Sequence, residues 1–518
     1  MEKNGVATII VKLLTIFILC LTAYAVMQLL QTAWNTVQWN FPNHCREATE
    51  NAAAVMFKNG KSPYYENYPH SYSVYGPLYY LFTSLFISSG SLLHSAFIQR
   101  LINWICIFST MLIFVIFCKK RMPSSFIESF PLAAVLGVML ACYSNEIGSK
   151  PGCFAFMFAF LGTIIPFLCN FSERSFIIAV SCFAAAFLSK QIFLGFAAAF
   201  LGWHFLLFGI RRTLLLGAVF MLQTYGLLFL LEIIYPNITA PFSLKAFMSI
   251  SKMSTTVLLM KLEQIIYLTW PIMLIVVAGF MAAVVKDLYM NKTGSFHLFL
   301  KGNYFFIVLC ALFLYYLRIA MHRGNNNIYA VHTFIPVLFL AFLQYTSFYK
   351  KTFMRCVSFI SLILALSAAL SFFSGRLHLF SRDFSYSWEK WDSLISKHDN
   401  IYAHRVFAQT LAEHGKYIEY LGQEEYVKPS SSFFYEDDLA HKRKSIIADV
   451  KRAIDSAGYD LLLLHVKSGE VFFWWGKMTE EDLFAKGYLK VDEDTAYSTL
   501  YHWRIGVFKR VADIQVME

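Results

Sequence analysis

Residues 44–81, "HCREATENAAAVMFKNGKSPYYENYPHSYSVYGPLYYL", break into an otherwise apolar N-terminal region. They follow an apolar run from Leu13 to Leu30 and carry Glu47, Glu50, several cations and a string of tyrosines. So polar a segment beside a hydrophobic run has to be explained by the membrane, by chemistry, or by both. The rest of the chain settles that the membrane is involved. Of its 518 residues, 57% are hydrophobic and 18% aromatic, and only 15% are charged. A soluble domain carries about a quarter charged residues. Apolar runs of about 17 to 25 residues, long enough to cross about 30 Å of hydrocarbon, recur as far as roughly position 375.

The formal charge of +11 does not indicate nucleic acid, because the basic residues gather at the ends of apolar runs, where they set orientation. Nine of the ten cysteines lie in or beside such runs and Cys45 stands alone in the first loop, so no disulfide framework is expected. The N-terminal run has an Ala-Tyr-Ala stretch of the kind found at cleavage sites. It continues apolar through "VMQLL", which reads as an uncleaved anchor.

Topology follows from the cations. "KKR" (119–121), "RR" (211–212), Lys286 with Lys292 and Lys301, and "KK" (350–351) with Arg355 share one side only if the first loop, 31–96, stays on the other. "GPLYYLFTSLFISSG", 76–90, is short for a span and reads as an interfacial helix. Eleven spans result, near 13–30, 97–118, 126–144, 153–171, 176–190, 192–210, 213–235, 265–285, 303–320, 331–349 and 357–374. That parity puts the N-terminus in the cytoplasm and residues 375–518 outside. The fold class expected is an all-α polytopic membrane domain over 1–374 followed by a small α/β extracytoplasmic domain over 375–518. In the latter, "WEKWDSLISKHDN" and "HKRKSIIADVKRAIDSAG" read as helices, and "YDLLLLHV" and "YHWRIGVFKR" as strands.

The outside loops then hold His44, Arg46, Glu47, Glu50, Glu146, Lys150, Lys190, Lys245, Lys252, Lys261, Arg318 and Arg323. Cations there oppose the usual bias and call for a partner, and a phosphate headgroup supplies one. A carboxylate beside them suits a general base. Each residue also has a plainer reading. Glu47 and Glu50, three apart, fit the solvated face of an interfacial helix. Lys150 and Lys190 fit snorkelling to headgroups. Tyr64, Tyr65, Tyr75, Tyr79 and Tyr80 fit interface anchors, and "NNN" at 325–327 fits a turn.

Taken in order, the motifs resemble the GT-C membrane glycosyltransferases, in the bacterial branch related to protein O-mannosyltransferases and lipid A aminoarabinose transferases. The resemblance rests on Glu47 with Gly60, "SPYY" (62–65) and "YGPLYYL" (75–81), then "SKPGCFAFMFAFLG" (149–162), "AFLSKQIFLGFAAAFL" (186–201) and "RGNNNIYAVHTFIPVLFLAFL" (323–343), and covers most of 10–375. It implies a polyprenyl-phosphate sugar donor, a glycan or glycolipid acceptor, and a bacterial inner membrane. Glu47 would be the base, with Glu50 in reserve. His44, Arg46, Lys150, Lys190, Arg318, Arg323, Asn325, Asn327, Tyr75 and Tyr79 would bind the donor phosphate or sugar. "KPG" puts Gly152 where the family has an acidic residue, so a divalent metal lacks a second acidic ligand and no cofactor is expected. A lipid-linked glycan polymerase or ligase, and a lipid-linked sugar flippase, are the competing readings.

Overall fold

A computed structural model of the chain describes residues 3–38, 42, 45–64, 75–87, 92–142, 150–242, 255–290, 296–320, 328–346, 352–377, 385–417, 447–473, 476–497 and 502–514. Its helices follow the apolar runs. They are α1 (Lys3–Val37), α2 (Cys45–Lys58), α3 (Leu78–Ser84), α4 (Leu92–Arg121), α5 (Phe126–Cys142), α6 (Gly152–Leu168), α7 (Glu173–Ser189) and α8 (Leu194–Met221). After a π-helical turn come α9 (Leu227–Ile234), α10 (Thr255–Met290), α11 (Tyr304–Ala320), α12 (Ile335–Thr346) and α13 (Thr352–Leu377). The stretches Thr8–Val37, Ser95–Arg121, Pro123–Ala141 and Gln191–Ile234 are long and apolar enough to cross a membrane. The chain is a mostly helical, multi-span membrane protein. α1 runs unbroken across Ala23-Tyr24-Ala25 and keeps Leu13 and Met27 more than 60% exposed, as a lipid-facing helix must.

Two breaks matter to the layout. At Gly209 the backbone of α8 takes φ 76°, ψ 178°, which glycine adopts without a Cβ penalty. The segments on either side both lie along α7. Phe176 meets His204 and Phe208, Phe187 meets Phe220, and Arg212 lies 3.7 Å from Glu173. The chain therefore turns back at Gly209, between the two runs read at 192–210 and 213–235. α10 bends by 81° between Tyr267 and Thr269, so its first part runs across the axis of its second.

The bundle has two polar ends. Arg121 donates to the carbonyl of Leu168 where α4 and α6 end, beside Glu173 and Arg212. The "KKR" and "RR" clusters therefore share one end. Lys150, at the start of α6, and Lys190, at the end of α7, lie at the other. The first loop also lies there. Every residue of α2 from Glu47 to Phe57 is buried, and α3 is about two turns long with Tyr79 and Tyr80 fully buried. α2 carries Glu47, Glu50 and Asn51, whose polar atoms need partners that lipid cannot offer. Protein encloses it instead.

That enclosure comes from the C-terminal region, which contains α14 (Ser385–Ser396), α15 (Ala408–Glu413), a helix over 447–455 (α16), α17 (Glu480–Ala485) and a six-stranded sheet. The strands are β1 (Ile401–Ala403), β2 (Leu461–Lys467), β3 (Glu470–Phe473), β4 (Gly476–Thr479), β5 (Tyr488–Tyr497) and β6 (His502–Arg510), in the order β4-β3-β2-β6-β5. β1 pairs parallel with the first half of β2, and every other pairing is antiparallel. The run Leu461–Leu464 is apolar throughout because both faces of β2 are covered. Leu461 and Leu463 join the core shared with the membrane helices, with Trp391, Phe407 and Leu411. Leu462 and Leu464 join a separate core under α16, with Val450, Ile454 and Phe508. The strands read at 459–466 and 501–510 are β2 and β6. β1, β3, β4 and β5 were not foreseen.

Candidate active site

Glu47 and Glu50 are one turn apart on α2 and so share a face. Small neighbours, Ala48, Ala52 and Ala53, let that helix pack closely on what surrounds it. Neither carboxylate is solvated. Glu47 is 4% and Glu50 2% exposed, which excludes the solvated-face reading. Glu47 Oε1 accepts from Arg100 Nε at 2.8 Å, and Arg100 Nη1 donates to the carbonyl of Thr36 at 3.3 Å. Thr36 Oγ1 in turn accepts from the Trp104 indole at 2.7 Å. Arg100 is completely buried, so a paired carboxylate is what makes its burial tolerable. Glu50 accepts a short hydrogen bond from the Tyr80 hydroxyl.

α3 links this pair to the lysines. The Tyr79 hydroxyl donates to the Gln99 carbonyl at 3.1 Å and accepts from Asn103 Nδ2 at 3.2 Å. The same Asn103 amide reaches the Lys150 carbonyl at 3.0 Å. Lys150 and Lys190 are both buried, so neither snorkels into open headgroup space. The Lys190 ammonium lies 5.1 Å from the centre of the Tyr75 ring, a cation–π contact. It also sits at the C-terminal end of α7, where the helix dipole favours a cation.

This junction depends on Gly76. Its N–H donates to the carbonyl of Ser189 at 3.1 Å, and a Cβ there would lie 2.0 Å from the carbonyl oxygen of Leu188. Gly76→Ala is expected to destabilise by about 1–3 kcal/mol through overpacking against backbone. Thermal unfolding of the purified variant checks this, and a midpoint equal to wild type would refute the close approach.

The other expected site residues divide into two groups. Arg318 lies in the last turn of α11 and is exposed. Lys261 donates to the carbonyl of Ala320 at 3.1 Å, capping α11. His44, Glu146, Lys245, Lys252, Arg323, Asn325 and Asn327, and the side chain of Arg46, lie outside the described residues. Among the described residues no three His, Cys, Asp or Glu side chains come together as a metal site.

Two positions in contact with α2 escaped the sequence reading. Arg100 lay inside an expected span, where an ionisable residue alone is a signal of function. Gln409 lies in α15, which packs over α2. It accepts from Asn51 Nδ2 at 2.6 Å and donates to Ser95 Oγ at 3.0 Å. Nearby, Asn59 donates to the Tyr417 hydroxyl at 2.8 Å, and Lys61 lies 4.2 Å from the centre of that ring. Glu413 completes the contact. Burial pushes its carboxyl up to about 7 and Asp392 pushes the same way, while a hydrogen bond from Ser95 opposes them. Asp392 is held by His414 at 2.7 Å, and Tyr417 lies on the other side.

The sign of the resulting pH effect follows. A carboxyl at about 7 when docked and near 4.5 when released binds its proton more tightly in the docked state. Docking is therefore strongest below pH 4.5 and weakens as pH rises through about 7. The thermal midpoint of the protein is expected to fall between pH 5 and pH 8, and Glu413→Gln to flatten that fall. An unchanged slope in Glu413→Gln would assign the effect elsewhere.

No family model and no curated sequence matches the chain. Solved structures do. ArnT from Cupriavidus metallidurans bound to undecaprenyl phosphate superposes with a TM-score of 0.56 at 11% identity, over 95% of this chain and 98% of ArnT. The chain shares its fold with ArnT. The apo ArnT structure agrees, with a TM-score of 0.55 at 11% identity over 96% and 98% of the two chains. Arabinosyltransferase EmbB from Mycobacterium smegmatis aligns too loosely to carry an argument, with a TM-score of 0.37 and 12% identity over 87% of this chain and 44% of EmbB. The ArnT likeness runs from the first membrane helix into the C-terminal sheet. At 11% identity it speaks for fold and not for substrate.

Proposed function

We propose that the chain is an inverting glycosyltransferase that moves one sugar from a polyprenyl-phosphate donor to a hydroxyl of a cell-envelope glycan or glycolipid, such as O-antigen. In this reading residues 1–374 cross a bacterial inner membrane eleven times, with the N-terminus cytoplasmic. Residues 375–518 form an extracytoplasmic domain over the site. The observation that carries it is the buried carboxylate pair of α2, linked through α3 to Lys150 and Lys190 at one end of an ArnT-like bundle. The ArnT structure bound to undecaprenyl phosphate makes a polyprenyl phosphate the first donor to consider.

Glu47 takes the proton from the acceptor hydroxyl as that oxygen attacks the anomeric carbon. The bond from carbon to phosphate oxygen breaks on the opposite face, which inverts the centre. Lys150 and Lys190, with Arg323, neutralise the charge that develops on the departing lipid phosphate. Arg46, His44, Arg318, Asn325, Asn327, Tyr75 and Tyr79 complete the donor pocket in this proposal, and Glu50 stands by as a second base. The test uses purified protein in nanodiscs with a panel of synthetic polyprenyl-phosphate monosaccharides and an envelope-glycan acceptor. Release of lipid phosphate from one donor supports the reading. No release from any donor overturns it in favour of a lipid-diphosphate polymerase or a flippase.

A further inference from the structure

α2 presents an unusual problem for a helix carrying the groups assigned to catalysis. It is short, polar, and joined to the membrane helices only through its flanking loops. One of its faces packs on α3 and α4, through Tyr80, Gln99 and Arg100. Another is covered by the segment 405–413 of the C-terminal region, whose Val406, Phe407, Ala408, Leu411 and Ala412 are all fully buried. A polar connection crosses that contact. Asn51, the residue after Glu50, is fully buried and donates to Gln409 Oε1, and Gln409 Nε2 donates to Ser95 Oγ at the start of α4. Gln409 thus holds α2 and α4 at once.

We infer that Gln409 is a positioning residue for the α2 carboxylates: it sets the rotation and height of α2 against α4, and so the aim of Glu47 and Glu50. The geometry favours this over simple packing. An amide that accepts from one helix and donates to another has one orientation that satisfies both bonds. Sliding α2 by a fraction of a turn breaks at least one of them in a site closed to water. The same slide would move Glu47 off Arg100 and Glu50 off Tyr80, since all four side chains depend on the α2–α4 and α2–α3 registers. The inference deepens the proposed transfer reaction and rests on it for its kinetic consequence, but not for its structural one.

Three variants of the full chain in nanodiscs test it: Gln409→Leu, Asn51→Leu and the exchanged pair Asn51→Gln with Gln409→Asn. Hydrogen–deuterium exchange of 45–58 is read without any donor. Donor KM and kcat for lipid-phosphate release are read alongside it. Gln409→Leu is expected to raise exchange in α2 and to lower kcat by about 10- to 100-fold with donor KM within about twofold, the pattern of a misaimed group. The exchanged pair, which preserves the total reach of the two amides, is expected to recover at least half of the lost log kcat and to restore slow exchange. Gln409→Leu with wild-type exchange in α2 overturns the inference, as does a folded variant with wild-type kcat. If Gln409→Leu fails to fold, Asn51→Leu carries the same two readings from the other partner. Should wild type release no lipid phosphate at all, the transfer reading fails by itself, and the exchange measurements still decide whether Gln409 holds α2.

Discussion

Glu47→Gln is expected to fold and to release lipid phosphate about 10²- to 10⁴-fold more slowly than wild type, the range that general-base help supplies. Glutamine keeps the shape of the side chain and an oxygen for Arg100 Nε to reach, but leaves the buried guanidinium without its counter-charge, so a lowered thermal midpoint is expected beside the slower release. What it loses is the negative charge and the capacity to take a proton. Turnover within about threefold of wild type would remove Glu47 from the base role. It would move the assignment to Glu50, which stands one turn away under the Tyr80 hydroxyl. Glu50→Gln is the matching measurement. If both carboxylates act as a unit, the double variant will be little slower than the worse of the two singles.

Arg100→Leu is expected to have the largest effect on stability. The side chains of Arg100 and Glu47 are 0% and 5% exposed, so deleting the guanidinium strands a buried carboxylate. Breaking one side of such a pair costs about 3–5 kcal/mol, whereas replacing both partners with apolar groups of similar volume is close to neutral. The cycle of Arg100→Leu, Glu47→Leu and the pair together distinguishes these terms by thermal unfolding. Recovery of stability in the pair, with activity still absent, separates the structural role of the ion pair from the chemical role of the carboxylate. A loss below about 1 kcal/mol in Arg100→Leu would mean that water reaches Glu47 and that the site is more open than its burial implies.

Much of the fold was legible in sequence because membranes impose length and because charge marks run ends. The apolar runs, the turn-back between 192–210 and 213–235, and the grouping of "KKR" with "RR" all follow from those two constraints. β2 and β6 were legible as β-branched, aromatic or leucine-rich runs. β3 and β4 are four residues each, and β5, "YLKVDEDTAY", carries its charges at an edge where Lys390 pairs with Asp492 and Asp494. Such strands have little hydrophobic signal.

The site was legible only in part. Glu47, Glu50, Lys150 and Lys190 stood out because each is a charge where the pattern around it is apolar or aromatic. Their partners did not. Arg100 was absorbed into a span by its neighbours, and Gln409 in "RVFAQTLAEHG" carries no local signal at all. The reading of Glu47 and Glu50 as a solvated face failed for the same reason. A polar helix near a membrane reads as interfacial until the segment that covers it is known, and that segment lies far downstream.

The distance along the chain has a consequence for how the protein comes to be. Asn51 and Gln409 are 358 positions apart, and Asn59 and Tyr417 are separated by the same interval. A contact of that span cannot form during synthesis until nearly all of the chain between its two ends has been made. Until then α2 has one face uncovered, and its carboxylates are not held in register. The register of α2 is thus set late in biogenesis, and a chain cut before Gln409 lacks the contact that sets it.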